Sequence, residues 1–115
     1  MAAPQSTEDI FAGMLETLAE PTRWTKRAGA RDTEGQPVPS SSHHAVCWCL
    51  LGARQRELSK IEDLALLERL DEETDELLHQ ASGGASPSAI NDDPATTHTD
   101  IVALVQRAHQ AARKA

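Results

Sequence analysis

SSSHHAVCWCLLGA, residues 40–53, places two histidines, two cysteines and a tryptophan within positions 43–49. The stretch reads either as a cluster of ligands or as the inward face of a helix, and the choice decides the fold. Ser40, Ser41 and Ser42 are all residue types that cap helices, so a helix over about residues 43–57 is the favoured reading. Successive helical residues lie ~100° apart, so Cys47 and Cys49 are expected to point ~200° apart and cannot share one tetrahedral metal. Ala45, Cys49, Gly52 and Ala53 then form a strip of small residues for close helix packing. Cysteine behaves there as a small apolar residue, and Trp48 fills the core.

The ligand reading survives as the weaker alternative. His43 or His44 with Cys47 supplies half of a zinc site. The remaining histidines, His79, His98 and His109, are isolated, and there is no C-x-x-C pair. The same Cys–His pair as a nucleophile lacks an orienting group. The sequence therefore calls for no cofactor and no catalytic residue.

Outward from this stretch the chain reads as helical. Its 115 residues fit one domain, with a loose tail over 1–5 and a single helical domain over 6–115. Aromatic residues are 3% of the chain, below what an all-β core uses, while Ala, Leu, Glu, Gln and Arg favour helix. Ser6 or Thr7 caps a first helix, Asp9 follows Ser6 at capping-box distance, and Ile10, Phe11, Met14, Leu15 and Leu18 make its apolar stripe. Pro21 ends that helix. Residues 24–39 hold Gly29, Gly35, Pro37 and Pro39, which predict an irregular or β-hairpin excursion turning at Asp32–Gly35.

Ser59 and Glu62 repeat the capping-box pattern ahead of the stripe Leu64, Leu67, Leu70, Thr74, Leu77 and Ala81, where Asp71 could either interrupt the helix and cap its second half or leave it continuous. SGGASPS, residues 82–88, reads as a flexible connection and Ile90–Pro94 as a turn. Thr97 and Asp100 cap a last helix with Ile101, Val105, Ala108 and Ala112 on one face. The fold class expected is mostly α, a compact bundle of about four helices.

Formal net charge is −7, which argues against direct nucleic-acid binding by the chain as a whole. The acid is concentrated in residues 57–76, while Arg23, Lys26, Arg27 and Arg31 cluster elsewhere. No apolar run approaches the ~18–20 residues of a membrane span. The opening MAAPQSTEDI lacks the basic and apolar regions of a secretory signal. Two cysteines in one segment make no disulfide framework, so a cytoplasmic protein with reduced thiols is expected.

The ordered set Trp24, Ala30-Arg31-Asp32, Gly35, Pro37-Val38, Ala45, Trp48-Cys49, Gly52-Ala53 and Asn91-Asp92, followed by an Ala-rich final helix, resembles an uncharacterised family of small bacterial and phage-borne proteins. The resemblance runs from about residue 8 to 112. It implies no activity, but it implies that Trp24, Asp32, Trp48, Cys49, Asn91 and Asp92 belong to one shared arrangement. Ser42 and Ile90 depart from the pattern, where an aspartate and an aromatic are usual.

The functional expectation is a non-catalytic regulatory or inhibitory module that binds another protein. Its contact residues are Glu68, Asp71, Glu72, Glu73, Asp75 and Glu76, facing a partner with a basic surface. The phage association adds an expectation of host-interaction or anti-defence work. The second class is a small-ligand or metal-binding protein, or an enzyme, with a pocket built from Trp24, Asp32, Asn91 and Asp92. That class requires those residues to converge.

Overall fold

A computed structural model describes residues 3–114, which form five helices and a small antiparallel sheet. Helix α1 spans Thr7–Thr17, and a 3-10 turn follows at Pro21–Arg23. Three two-residue strands come next: β1 Ala30–Arg31, β2 Pro37–Val38 and β3 Cys47–Trp48. The remaining helices are α2 Leu50–Leu58, α3 Leu64–Ala81, α4 Pro87–Asp92 and α5 His98–Lys114. The central strand is β1, with Ala30 opposite Val38 on one side and opposite Trp48 on the other. The mostly helical class with a short hairpin is therefore the observed one.

Helix α1 packs on α5, α2 and α3, and α3 packs on α5. Ile10, Phe11 and Met14 of α1 meet Leu70 and Leu78 of α3 and Ile101, Val105 and Ala108 of α5, all fully buried. Each such large apolar side chain contributes about 1.5–3 kcal/mol on burial, so the expected stripes are what hold the helices together. Two predicted caps are in place. Ser6 Oγ accepts from Asp9 N at 3.1 Å, and Thr97 and Asp100 form a reciprocal box, with Asp100 N on Thr97 Oγ1 at 3.2 Å and Thr97 N on Asp100 Oδ2 at 2.9 Å.

The stretch that decides the fold departs from its helical reading. The helix begins at Leu50, not near residue 43, because Val46–Trp48 join the sheet. Val46 N donates to Arg31 O at 2.9 Å, and Cys47 and Trp48 lie opposite Arg31 and Ala30. Valine, cysteine and tryptophan are modest helix formers that suit a strand, and the β1 edge offers them backbone partners that a helix start lacks. Ser42 caps nothing helical; its Oγ accepts from His44 N at 3.1 Å in a local turn. The cap of α2 is Cys49, whose Sγ accepts from Gly52 N at 3.1 Å. In extended chain Cys47 and Cys49 leave on the side opposite to Trp48, rather than ~200° apart as in a helix. Both thiols are free.

Three further boundaries shift. Ser59 ends α2, and Asp63 rather than Ser59 caps α3, its Oδ1 accepting from Ala65 N at 2.9 Å and Leu66 N at 3.2 Å. Asp71 does not break α3. Its carboxylate is held by Arg54 at 2.7 Å and so does not compete for nearby backbone groups. Residues 87–92, read as connection and turn, form α4. Ser86 caps it and Pro87 occupies the first helical position, which proline favours.

The strip of small residues keeps part of its expected role. A Cβ on Gly52 would stand 1.8 Å from Gly29 O, so α2 presses directly on the backbone of the excursion. Gly29 O also accepts from Cys49 N at 3.1 Å.

Candidate functional site

The acidic segment of the sequence divides into two populations. Asp71 and Asp75 are turned to Arg54, at 2.7 and 3.9 Å, and Asp75 also lies 3.6 Å from His79 Nδ1. Arg54 is 6% exposed and bonds the main-chain oxygen of Asp71 at 3.1 Å as well. These two aspartates therefore fasten α3 to α2. Glu57, part of the same acidic run in sequence, is buried in α2 and paired with Lys60 at 2.7 Å.

Glu68, Glu72, Glu73 and Glu76 are different. All are exposed, and none pairs with a cation among the described residues. Glu68, Glu72 and Glu76 recur at the four-residue spacing that stacks side chains ~6 Å apart along a helix. Like charges at this spacing destabilise a helix by a few tenths of a kcal/mol per pair. Glu68, Asp71 and Glu72 line one open cleft with Ala65 and Arg69, and Glu73 and Glu76 line another with Thr7, Leu77 and Gln80. Leu64, 72% exposed, stands at the start of the same helix.

The four residues of the ligand-pocket reading do not all converge. Asn91, 1% exposed, is at the centre of three of them. Its Oδ1 accepts from Trp24 Nε1 at 2.7 Å and Leu50 N at 3.0 Å; its Nδ2 donates to Thr25 O and Asp92 Oδ1, each at 3.1 Å. Trp24 Nε1 and Leu50 N can only donate, which fixes the orientation of the amide. Asp92 Oδ1 accepts from Arg27 N at 2.9 Å as well, and that bond, followed by the Asn91 amide, holds the Asp92 carboxyl below its ordinary value of 3.8. Arg27 has φ of 65°, a left-handed conformation uncommon for a non-glycine residue, and Lys26 Nζ closes the loop onto Asp93 O at 2.6 Å.

Every hydrogen-bonding valence of Asn91 is thus spent on the protein itself, with none spare for a ligand. Asp32 sits apart. Its Oδ1 accepts from Glu34 N and Gln36 N, each at 2.9 Å, closing the hairpin turn that Gly35 completes at φ 79°.

His43 and His44 are exposed with ring centroids 4.0 Å apart, and Cys47 is half-buried. Among the described residues no group of three or more His, Cys, Asp or Glu side chains is gathered to hold a metal ion. Burial raises the Cys49 thiol above its ordinary value of 9.0, partly offset by the Gly52 and Leu51 amides. A thiol held protonated is a weak nucleophile.

The family model matches residues 2–111, almost the whole chain. The chain belongs to DUF6197, a family of unknown function. No curated protein and no solved structure shows a match to this DUF6197 chain. Among its described residues no helix is long and apolar enough to cross a membrane.

One arrangement in the DUF6197 chain has no sequence signal. Arg23 and Arg56 both lie over the Trp48 ring, their Cζ atoms 5.7 and 4.7 Å from its centroid. Arg56 is eight residues beyond Trp48 and Arg23 far before it, so neither a helical nor a strand period connects them. The basic cluster of the excursion also divides. Arg31 is anchored to Thr25 Oγ1, Lys26 O and Gly35 O, whereas Arg23 turns away toward Trp48.

Proposed function

We propose that this protein works by binding another protein, with the α3 glutamates as the contact surface, and that it is a regulatory or inhibitory module rather than an enzyme. The supporting observation is the exposed set Glu68, Glu72, Glu73 and Glu76, with no ion pair among the described residues, beside acidic neighbours that the fold itself consumes. The partner carries a basic surface. Long-range attraction steers the encounter, and the exposed Leu64 and the half-buried Leu77 supply apolar contact once the helix face docks.

Where the partner handles DNA, the glutamate row stands in for phosphates and the protein inhibits by charge mimicry. A cytoplasmic, phage-borne setting with a host-interaction or anti-defence role fits this reading. A ligand pocket at Trp24, Asp32, Asn91 and Asp92 gains no support from an amide with no free valence and an aspartate committed to its own turn.

The test is affinity capture from the native host with wild type and with the triple charge reversal Glu72→Lys, Glu73→Lys and Glu76→Lys. The fold should persist, since the change relieves like-charge repulsion. Captured partner should fall with added salt in the wild type and be lost in the variant. Equal capture by both proteins at all salt concentrations would sink the proposal.

A further inference from the structure

Between α1 and α2 lies a small cleft of about 110 Å³, lined by Gly13, Glu16, Thr17, Arg23, Arg56, Glu57 and Lys60. It is polar and has room for several waters or for one small oxyanion. Arg23 and Arg56 enter it from different elements, the 3-10 turn and α2, and both rest on the Trp48 ring.

Neither guanidinium makes a side-chain hydrogen bond or ion pair with any described residue. The Nε of Arg56 is buried with no acceptor at all. This is an unusual state for a guanidinium, which carries five N–H donors, and it occurs in a chain with 18 acidic residues to 11 basic ones. Arg54 Nε is likewise buried without an acceptor, but its Nη2 is paired with Asp71, and Arg31 is held by its own loop, so Arg23 and Arg56 differ in having no side-chain partner at any nitrogen among the described residues.

The local charges are also sorted. Lys60 is 2.7 Å from Glu57 Oε2, which neutralises the one buried carboxylate of the cleft. Glu16 is exposed to solvent. What remains is two guanidiniums without counter-ions among the described residues, their heads over one indole, at the wall of a cleft of oxyanion size. Stacked guanidiniums lose little further entropy on binding, and their planar forks match carboxylate and phosphate oxygens two at a time.

We propose that Arg23 and Arg56, backed by Trp48, form a binding site for a small oxyanion, the phosphate or carboxylate group of a small molecule. The site is distinct from the α3 glutamates and does not depend on their role. The nearby Glu16 and Glu57 limit it to a compact anion; a polyanion would meet both carboxylates and the acidic surface beyond.

The experiment is an NMR titration of the isotopically labelled full chain with sodium phosphate and, separately, sodium acetate, at ionic strength held constant with sodium chloride. The arginine Nε–H signals of Arg23 and Arg56 and the indole N–H of Trp48 should shift saturably with at least one of the two anions. Which anion saturates identifies the source. Arg23→Gln and Arg56→Gln should each weaken binding by about ten-fold or more, whereas Arg69→Gln, which removes the same charge from exposed α3, should leave it unchanged. Arg56→Lys keeps the charge without the fork and should also bind more weakly. Should Arg56→Gln fail to fold, Arg23→Gln decides, because Arg23 is on a surface turn. Shifts that rise linearly with both anions, or saturable binding that survives Arg23→Gln, would overturn the assignment.

Discussion

Asn91 Oδ1 accepts from the Trp24 indole at 2.7 Å and from Leu50 N at 3.0 Å, so one side-chain oxygen joins the start of the excursion, the start of α2 and the short helix α4. Leu50 N is one of the amides that a helix start leaves without an intrahelical partner. Cys49 satisfies another through its sulfur. The N-terminus of α2 is therefore capped jointly by its own cysteine and by an asparagine 41 positions later in the chain.

Replacing that asparagine should be costly. Asn91→Ala leaves Leu50 N and Trp24 Nε1 without acceptors, a loss of about 2–4 kcal/mol. Asn91→Asp keeps the oxygen that accepts both bonds but turns the Nδ2 donor into an oxygen facing Thr25 O and Asp92 Oδ1, so it should also destabilise. Urea denaturation followed by circular dichroism measures the series. A wild-type midpoint in Asn91→Ala would show that the clamp contributes nothing.

The Arg54–Asp71 pair should respond asymmetrically. The arginine side chain is 7% exposed and the aspartate 54%. Asp71→Ala leaves the buried guanidinium only the main-chain oxygen of residue 71 and the more distant Asp75, and should cost about 1–3 kcal/mol. Arg54→Met returns an exposed carboxylate to water and fills the space with an apolar chain, so its cost should be smaller. Equal or reversed costs in thermal or urea melts would mean that the pair acts as an ordinary surface bridge.

Gly52→Ala should be among the most damaging single-methyl additions. The new Cβ would lie 1.8 Å from Gly29 O, and backbone, unlike a flexible side chain, has little room to retreat. Overpacking costs about 1–3 kcal/mol where side chains can adjust, and this site should reach or exceed the upper end. Gly35→Ala, at the exposed hairpin turn with φ 79° and open space around it, should show only the milder cost of a left-handed alanine. The two variants melting alike would contradict the close approach of α2 to the excursion.

Much of the fold was legible because it depends on local rules. The stripes of α1, α3 and α5, the Ser6 cap, the Thr97–Asp100 box and the Asp32 turn all follow from spacing within a few residues. What failed depends on distant partners. Val46–Trp48 left the helix expected of them because β1, some sixteen positions earlier, offers a ladder. Whether Asp71 would interrupt its helix was open in the sequence, because the answer lies in Arg54, which occupies its carboxylate. Within the candidate site, sequence could show a concentration of acid but not which acids the fold consumes. That depended on where the buried Arg54 and the half-buried Lys60 point. The stacking of Arg23 and Arg56 on one indole was hidden for the same reason.

Acid should weaken the fold partly through Asp92. Its carboxyl is held below its ordinary value of 3.8, first by the Arg27 amide and then by the Asn91 amide. A group with a depressed folded-state pKa adds stability that is complete above the unfolded-state value and is lost as pH falls through the folded one. The stability gap between wild type and Asp92→Asn should therefore be constant at neutral pH and narrow only below about pH 4. Asp100, lowered by the Thr97 amide, acts in the same direction. A gap that stays constant down to the acid transition would show that the Asp92 charge takes no part in it.

The chain contains no tyrosine and only two tryptophans. Their indole N–H groups are bound to different things, Trp24 to the Asn91 side chain and Trp48 to Ser40 O at 2.9 Å, and their rings face different cations. Intrinsic fluorescence therefore comes from two chemically separate reporters. With Trp24→Phe or Trp48→Phe, each remaining indole emits alone. One then follows release of the α4 clamp and the other the arginine cleft, so two events on residues that share a backbone bridge can be timed against each other without any added dye.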